Sequence, residues 1–218
     1  QNTGFLSDFV LAFEGLFSRI FYLGPLREYP KPSYIWGGER PSDVGRRGEG
    51  AVSALLAARA EGLKSPRLVK ERRFHKPIEE RILEWLQEME LIHSFSLQPI
   101  AENRKYYEFR VKKSKTSSEV LITDIGFGVS QILPVLVLCY YVPEHSIILL
   151  EQPEIHLHPK VQADLADVFI DVVKERNVQI ILESHSEHLL RRLQRRIAEE
   201  HIPAEMTALY FCSMEDGA

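Results

Sequence analysis

Apolar residues at positions 5, 6, 9, 10, 13, 16, 17 and 20 follow a helical period, which predicts a helix over 5–20. Phe21-Tyr-Leu-Gly-Pro-Leu-Arg27 then reads as a short strand breaking into a loop. The pattern dissolves over 28–50, where Gly37, Gly38, Gly45, Gly48 and Gly50 mark the least regular part of the chain. A short helix is expected over 51–61. Pro77 at a helix start and the spacing of Ile78, Ile82, Leu83, Leu86, Met89 and Ile92 predict another over 77–92. Beyond it the period changes to two. Residues 95–99, 106–111 and 119–123 read as strands joined by polar turns, an antiparallel set.

From Asp124 onward the chain alternates: loop 124–128, helix 129–142, strand 146–151, helix 159–176, strand 178–183, helix 186–200 and a last strand over 206–213. Near-continuous apolar strands separated by helices predict a mostly parallel sheet buried under helices. The fold class is therefore α/β, with a small antiparallel strand and helical insertion. Two parts are expected: 1–118, helical with antiparallel strands, and 119–218, a C-terminal lobe. The chain opens at Gln1 without methionine and closes on Met214-Glu-Asp-Gly-Ala218, a turn that awaits another strand. It reads as a piece of a longer polypeptide. No internal repeat or low-complexity tract interrupts it.

Composition changes this picture little. The 218 residues, 44% hydrophobic and 27% charged, suffice for the core of one domain or a little more. With 27 basic against 31 acidic residues, any nucleic-acid contact would have to come from local patches. Cys139 and Cys212 have neither the number nor the spacing of a disulfide framework or zinc site, and read as free buried thiols of a reducing cytosol. The start is unlike a signal peptide. The longest apolar run, 132–142, is too short to span a bilayer, so a cytoplasmic protein without membrane contact is expected.

Chemistry concentrates in three places. Ile147-Ile-Leu-Leu-Glu-Gln-Pro-Glu154 is a buried strand that ends on polar groups. In an open parallel sheet ligands sit beyond the carboxyl ends of the strands, where Glu151 and Gln152 lie. Glu151 could hold Mg²⁺, and the next position suits a group that orients an attacking water. Ile180-Ile-Leu-Glu-Ser-His-Ser186 repeats the geometry and delivers Glu183, Ser184 and His185 to the same sheet edge. Taken alone, a histidine capping a strand end is the commoner explanation. Thr123-Asp-Ile-Gly-Phe-Gly-Val-Ser-Gln131 is a glycine loop opening a helix. Gly126 and Gly128 let the backbone approach an anion at the helix N-terminus, and Ser130 can add a hydroxyl. A lone Gly-x-Gly is otherwise an ordinary strand-to-helix turn.

Together the three motifs resemble the ATP-binding-cassette type of P-loop ATPase, an AAA-family branch that includes SMC proteins, RecF and OLD-type defence ATPases. The resemblance covers 120–212 best and implies a P-loop ATPase head fragment, its C-terminal lobe. On it, 124–131 is the signature loop, with Gly126, Gly128, Ser130 and Gln131 toward the nucleotide. The 147–152 strand is Walker B, with Glu151 toward the metal, and His185 is the switch histidine. Pro153-Glu154-Ile-His-Leu-His-Pro159 is similar to the segment after Walker B, which contacts the opposite subunit. Tyr22-Leu-Gly-Pro-Leu-Arg27 looks like a phrase from bacterial ATPases of this branch. The implied cofactors are ATP and Mg²⁺. The implied assembly is a homodimer or higher homo-oligomer that sandwiches ATP between heads. The implied setting is bacterial defence against phage, with a nuclease effector in the same chain or as a partner, and DNA nearby.

Two departures matter. No Gly-x-x-x-x-Gly-Lys-Ser/Thr loop occurs in the 218 residues. The Walker A lobe is expected upstream of Gln1, and ATP hydrolysis only with it. Gln152 stands where the family carries a catalytic carboxylate, and an amide cannot accept a proton at neutral pH. Slow hydrolysis assisted by Glu154 or His185 is expected, with Gln152 as the water-positioning group.

Two basic runs are also present. Lys64, Arg67, Lys70, Arg72, Arg73, His75 and Lys76 have few acids nearby in sequence and could touch phosphates, whereas Arg191, Arg192, Arg195 and Arg196 read as a solvated helix face. Rival readings are a non-hydrolysing scaffold head for a partner nuclease and a metal-dependent hydrolase built from His156, His158, His185 and His188 with Glu151 and Glu154. An esterase pair at Ser184-His185 is weaker, since adjacent strand residues point to opposite faces.

Overall fold

The structure, a computed structural model, describes residues 3–69, 72–100 and 105–213. In chain order these form α1 (Thr3–Phe17), β1 (Ile20–Leu23), β2 (Tyr34–Ile35), α2 (Ala51–Glu61), β3 (Lys64–Val69), β4 (Arg72–Pro77), α3 (Ile78–Glu88), β5 (Ser94–Pro99) and β6 (Tyr106–Lys112). Then follow β7 (Val120–Leu121), α4 (Phe127–Tyr141), β8 (Ile147–Glu151), α5 (Pro159–Arg176), β9 (Gln179–Glu183) and α6 (Glu187–Ala198). The fold is α/β: a parallel sheet flanked by helices, with a small antiparallel sheet beside it.

The parallel sheet has the order β1-β8-β9. Its register pairs Leu23 with Leu150 and Glu151 with Glu183, so all three strands end at one edge. The antiparallel sheet runs β2-β6-β5, with β7 also on β6. The two sheets do not have separate interiors. One hydrophobic cluster takes in Leu23 and Ile148 from the parallel sheet and Leu97 and Phe109 from the antiparallel one.

The helix α4 is apolar all round, as a helix must be when it is enclosed. Its residues from Val129 to Tyr141 are buried, and it packs against α2, α3 and α5. Burial along β8 alternates: Ile148 and Leu150 are enclosed, while Ile147 and Leu149 are only half-buried. On β9, Ile181 is 53% exposed. Among the described residues, then, one face is enclosed along β1 and β8 but only half-buried at Ile180 and Leu182 of β9, and the other face is partly open, where apolar runs alone suggest strands buried on both sides.

Buried cations tie the helices together. Arg81, 3% exposed, pairs with Glu84, Asp171 and Glu175 and reaches the Tyr140 hydroxyl. Arg176 donates to the carbonyls of Cys139 and Val142, which satisfies the C-terminal end of α4. An arginine there also complements the negative end of the helix dipole.

Several expectations change. α4 starts at Phe127, two residues before the expected 129, because Gly126 makes the break as the N-cap residue. The basic run 64–76 is a hairpin, β3–β4, whose Arg67 and Lys76 both bind Glu84 on α3. The nearby acid was invisible in sequence because it comes from the next helix. Lys70 and the side chains of Arg72 and Arg73 lie outside the described residues. The strand expected over 206–213 is not formed; Ala204–Met206 is a 3-10 turn, and 207–213 have no ladder partner among the described residues. Alternating apolar residues do not make a strand without a neighbour to bond. The expected turn at 214–218 lies outside the described residues. Cys139 is buried, with its thiol pushed up to about 12 by desolvation, but Cys212 is exposed. Among the described residues no helix is long and apolar enough to cross a membrane.

Candidate functional site

The shared register of β8 and β9 brings two polar strand ends together. Beyond Glu151 the chain turns sharply: Gln152 has φ 43° and His156 φ 62°, both in the left-handed region that costs a non-glycine residue energy. Two contacts hold Gln152 there. Its N–H donates to the Glu183 carbonyl at 2.9 Å, and its amide Nε2 donates to Glu183 Oε1 at 3.3 Å. The same Oε1 lies 3.6 Å from His185 Nε2. Glu183 thus stands between Gln152 and His185, and the imidazole is largely exposed. A carboxylate at 152 would face Glu183 charge to charge, whereas the amide is matched to it.

Glu154 plays a different part. It is 6% exposed, and its Oε1 accepts from the Ser184 hydroxyl and the His185 N–H, each at 2.7 Å. One carboxylate oxygen therefore fixes the loop that carries His185. Ser184 Oγ in turn accepts from Ser186 N–H at 3.1 Å, and the Ser186 hydroxyl donates to Gln162 at 2.7 Å while capping α6 through Leu189 N–H. Gln162 closes the circuit by donating to the Leu157 carbonyl at 2.9 Å. Gln152, Glu154, Ile155, His156, Gln162, His185 and Ser186 line one open cavity of about 240 Å³.

Tyr22, from the end of β1, adds a contact that periodicity did not single out. Interaction with the Glu151 carboxylate, and then desolvation, holds its phenol above the ordinary pKa. Glu151 and Glu183, side by side at the strand ends, can serve a divalent cation that keeps most of its waters. Mg²⁺ is commonly held by one or two carboxylates plus substrate phosphates rather than by a protein cage. The donor set fits such an ion. It does not fit the zinc alternative, for among the described residues no three His, Cys, Asp or Glu side chains are arranged to hold one metal ion. His158 instead caps α5, accepting from Lys160 N–H at 3.3 Å.

The glycine loop lies elsewhere. Gly126, with φ 90° and ψ 170°, occupies a conformation essentially confined to glycine, and no atom lies within 4 Å of where its Cβ would be. The exposed start of α4 follows, with Phe127 54% exposed and set edge-on to Tyr29 at 5.5 Å. Ser130 turns inward and donates to the Phe127 carbonyl at 2.8 Å, and Gln131 is buried. Ser130 lines a separate small pocket with Tyr29, Tyr34 and Pro134. The structure brings Glu151, Gln152, Glu154 and His185 together. Gly126, Gly128, Ser130 and Gln131 belong to a second locus.

The basic helix face is neutralised. Arg191 pairs with Glu187, Arg192 with Asp164 and Asp167, Arg195 with Glu199, and Arg196 with Asp167 and Glu199.

A parallel sheet with two polar strand ends, and a glycine-capped helix beside it, define the lobe of an AAA-type P-loop ATPase. The pattern of the AAA ATPase domain family matches residues 69–190, more than half of the chain, and the chain belongs to that family. It is an ATP-binding ATPase domain. A solved structure described under ATP-driven dimerization and DNA stimulated activation of SMC ATPases is similar over 53% of this chain and 71% of its own, at 18% identity and a TM-score of 0.40. A likeness of that size does not bear on function. No protein of curated function matches the sequence.

Proposed function

We propose that this chain is the C-terminal lobe of an ABC-type ATPase head that binds ATP with Mg²⁺, hydrolyses it slowly, and pairs with a second head on ATP. The observation that carries the reading is the convergence of Glu151, Gln152, Glu183 and His185 at the ends of adjacent parallel strands. Glu151 is the metal-side carboxylate, and the ion supplies charge neutralisation on the phosphates when bound. Gln152 orients water without taking its proton. His185, exposed beside Glu183, is the group placed to meet a terminal phosphate. Glu154 serves through the loop it holds, since both donors on its Oε1 come from that loop. Gly126 and Gly128, at a separate helix N-terminus, suit the phosphate of a nucleotide held by another head.

The wider setting is control of a DNA-directed effector, a nuclease in the same chain or a partner, in anti-phage defence. The motif resemblance to SMC, RecF and OLD-type ATPases supports it, and the site contributes nothing to that part. A cytoplasmic location goes with this setting. The second reading is a scaffold head that dimerises on ATP without turnover, favoured by the amide at 152 being bonded to Glu183.

Single-turnover hydrolysis by the full-length protein, alongside sedimentation with and without ATP, tests the proposal. Slow turnover that falls further in His185→Ala, with ATP-dependent dimers, is the expected result. Dimers without turnover would favour the scaffold. Vigorous turnover untouched by His185→Ala would overturn the assignment.

A further inference from the structure

Among the described residues, Arg27 is a buried cation with no partner on any guanidinium nitrogen. It follows β1 in the loop Gly24-Pro-Leu-Arg27, which is pinned from both sides: Gly24 N–H donates to the Arg46 carbonyl at 2.9 Å and Glu28 N–H to the Arg47 carbonyl at 2.8 Å. The residue is 5% exposed, and all three guanidinium nitrogens are enclosed without a hydrogen-bond partner among the described residues. Burial of a cation without compensation is strongly unfavourable, and a guanidinium brings five donors. Desolvation lowers its pKa to about 10, which leaves it cationic at neutral pH. The charge that offsets this at neutral pH is the Glu154 carboxylate.

Glu154 has the complementary deficit. Its Oε1 is saturated by Ser184 and His185, while Oε2 is enclosed with no partner among the described residues. A carboxylate used on one oxygen and a guanidinium used on none thus follow neighbouring, in-register strands, each four residues beyond the paired Leu23 and Leu150, and carry opposite charges. Because each Arg27 nitrogen is closed off, the side chain does not present itself to a ligand from solution. Its role has to pass through what it faces.

We infer that Arg27 is a positioning residue of the nucleotide site: its enclosed guanidinium steadies Glu154, and Glu154 in turn holds the Ser184–His185 loop in place. The loops after β1, β8 and β9 are then tied at one carboxylate. Tyr22, near the end of β1, and Arg27, in the loop that follows, would then place support for both halves of the strand-end site on one segment. This rests on the reading of that site as a site of ATP turnover, but the Arg27–Glu154 link does not.

The test uses the full-length protein with Arg27→Met, Arg27→Lys, Glu154→Gln and the Arg27→Met/Glu154→Gln double variant. Arg27→Met is expected to lower kcat about tenfold or more with the KM for ATP changed less than about twofold, and Arg27→Lys to recover most of the loss. The double variant should be no slower than the worse single, because both changes break one tie. A folded Arg27→Met protein with wild-type kcat, or losses that multiply, would overturn the inference. A thermal-unfolding cycle on the same four proteins without nucleotide reads the link independently. Non-additive shifts support it even if the wild type never turns over ATP, an outcome that would refute the ATPase reading alone. Additive shifts sink it.

Discussion

At Gly48 two constraints meet on one residue. Its φ is +77°, and a Cβ there would fall 2.4 Å from Pro134 Cβ and 2.6 Å from Cγ. Pro134 lies in the enclosed α4, so the neighbour cannot swing away into solvent. Gly48→Ala should therefore cost about 2–4 kcal/mol, the sum of a left-handed backbone and an overpacked contact, read as a shift in denaturant midpoint at unchanged m-value. Gly126→Ala is the control. It shares the positive φ but meets no atom within 4 Å, and should cost less than Gly48→Ala in the same assay. Gln152 and His156 show the converse, with left-handed conformations adopted by residues that pay for them beside the candidate site.

α6 shows how an element with little apolar burial is kept in place. Only Leu189 of its residues is buried, so Ser186 at the start and charge pairs along its length do more of the holding. Glu199 is bonded by Arg195 at 2.6 Å and Arg196 at 2.7 Å, and these bonds bring its pKa down to about 2. Its ordinary value is 4.5. The folded-state pKa is the lower one, so the contribution is fully present above about 4.5 and is lost as pH falls toward 2. The thermal midpoint of the wild type should decline through that window, and Glu199→Gln should flatten that part of the curve. High salt should shrink the difference, because the pair is exposed.

The candidate groups lie at two loci, the cavity at Gln152 and His185 and the glycine-capped start of α4. In the proposed head-to-head assembly each locus completes a site on the other copy. Gly128→Asp puts a negative charge at the helix end proposed to face a phosphate, and a Cβ there meets only Leu91 Cδ2 at an ordinary 3.6 Å. Gly128→Asp and His185→Ala proteins should each be defective in turnover, and mixing them should restore activity that neither has alone. A mixture no better than its parts would place both loci in one copy or remove α4 from the reaction.

Much of this was written locally. Period and end signals located α2 and α5 at their observed limits, and the strand ends at Glu151 and Glu183 followed from apolar runs meeting polar residues. Such features depend on windows of a few residues, where spacing alone determines which side chains share a face. The candidate residues Glu151, Gln152 and His185 were legible for the same reason. What they touch was not. Glu154 reaches its partners 30 and 31 positions away, Arg27 is enclosed without a hydrogen-bond partner, and the basic hairpin finds its counter-charge on α3. The strand expected at 206–213 failed because a ladder needs a partner, which no local pattern can guarantee. The sequence by itself determined which groups arrive at the sheet edge. The tertiary structure decided which are free to meet a substrate, since hydrogen bonds and burial between distant segments exist only once the chain is folded.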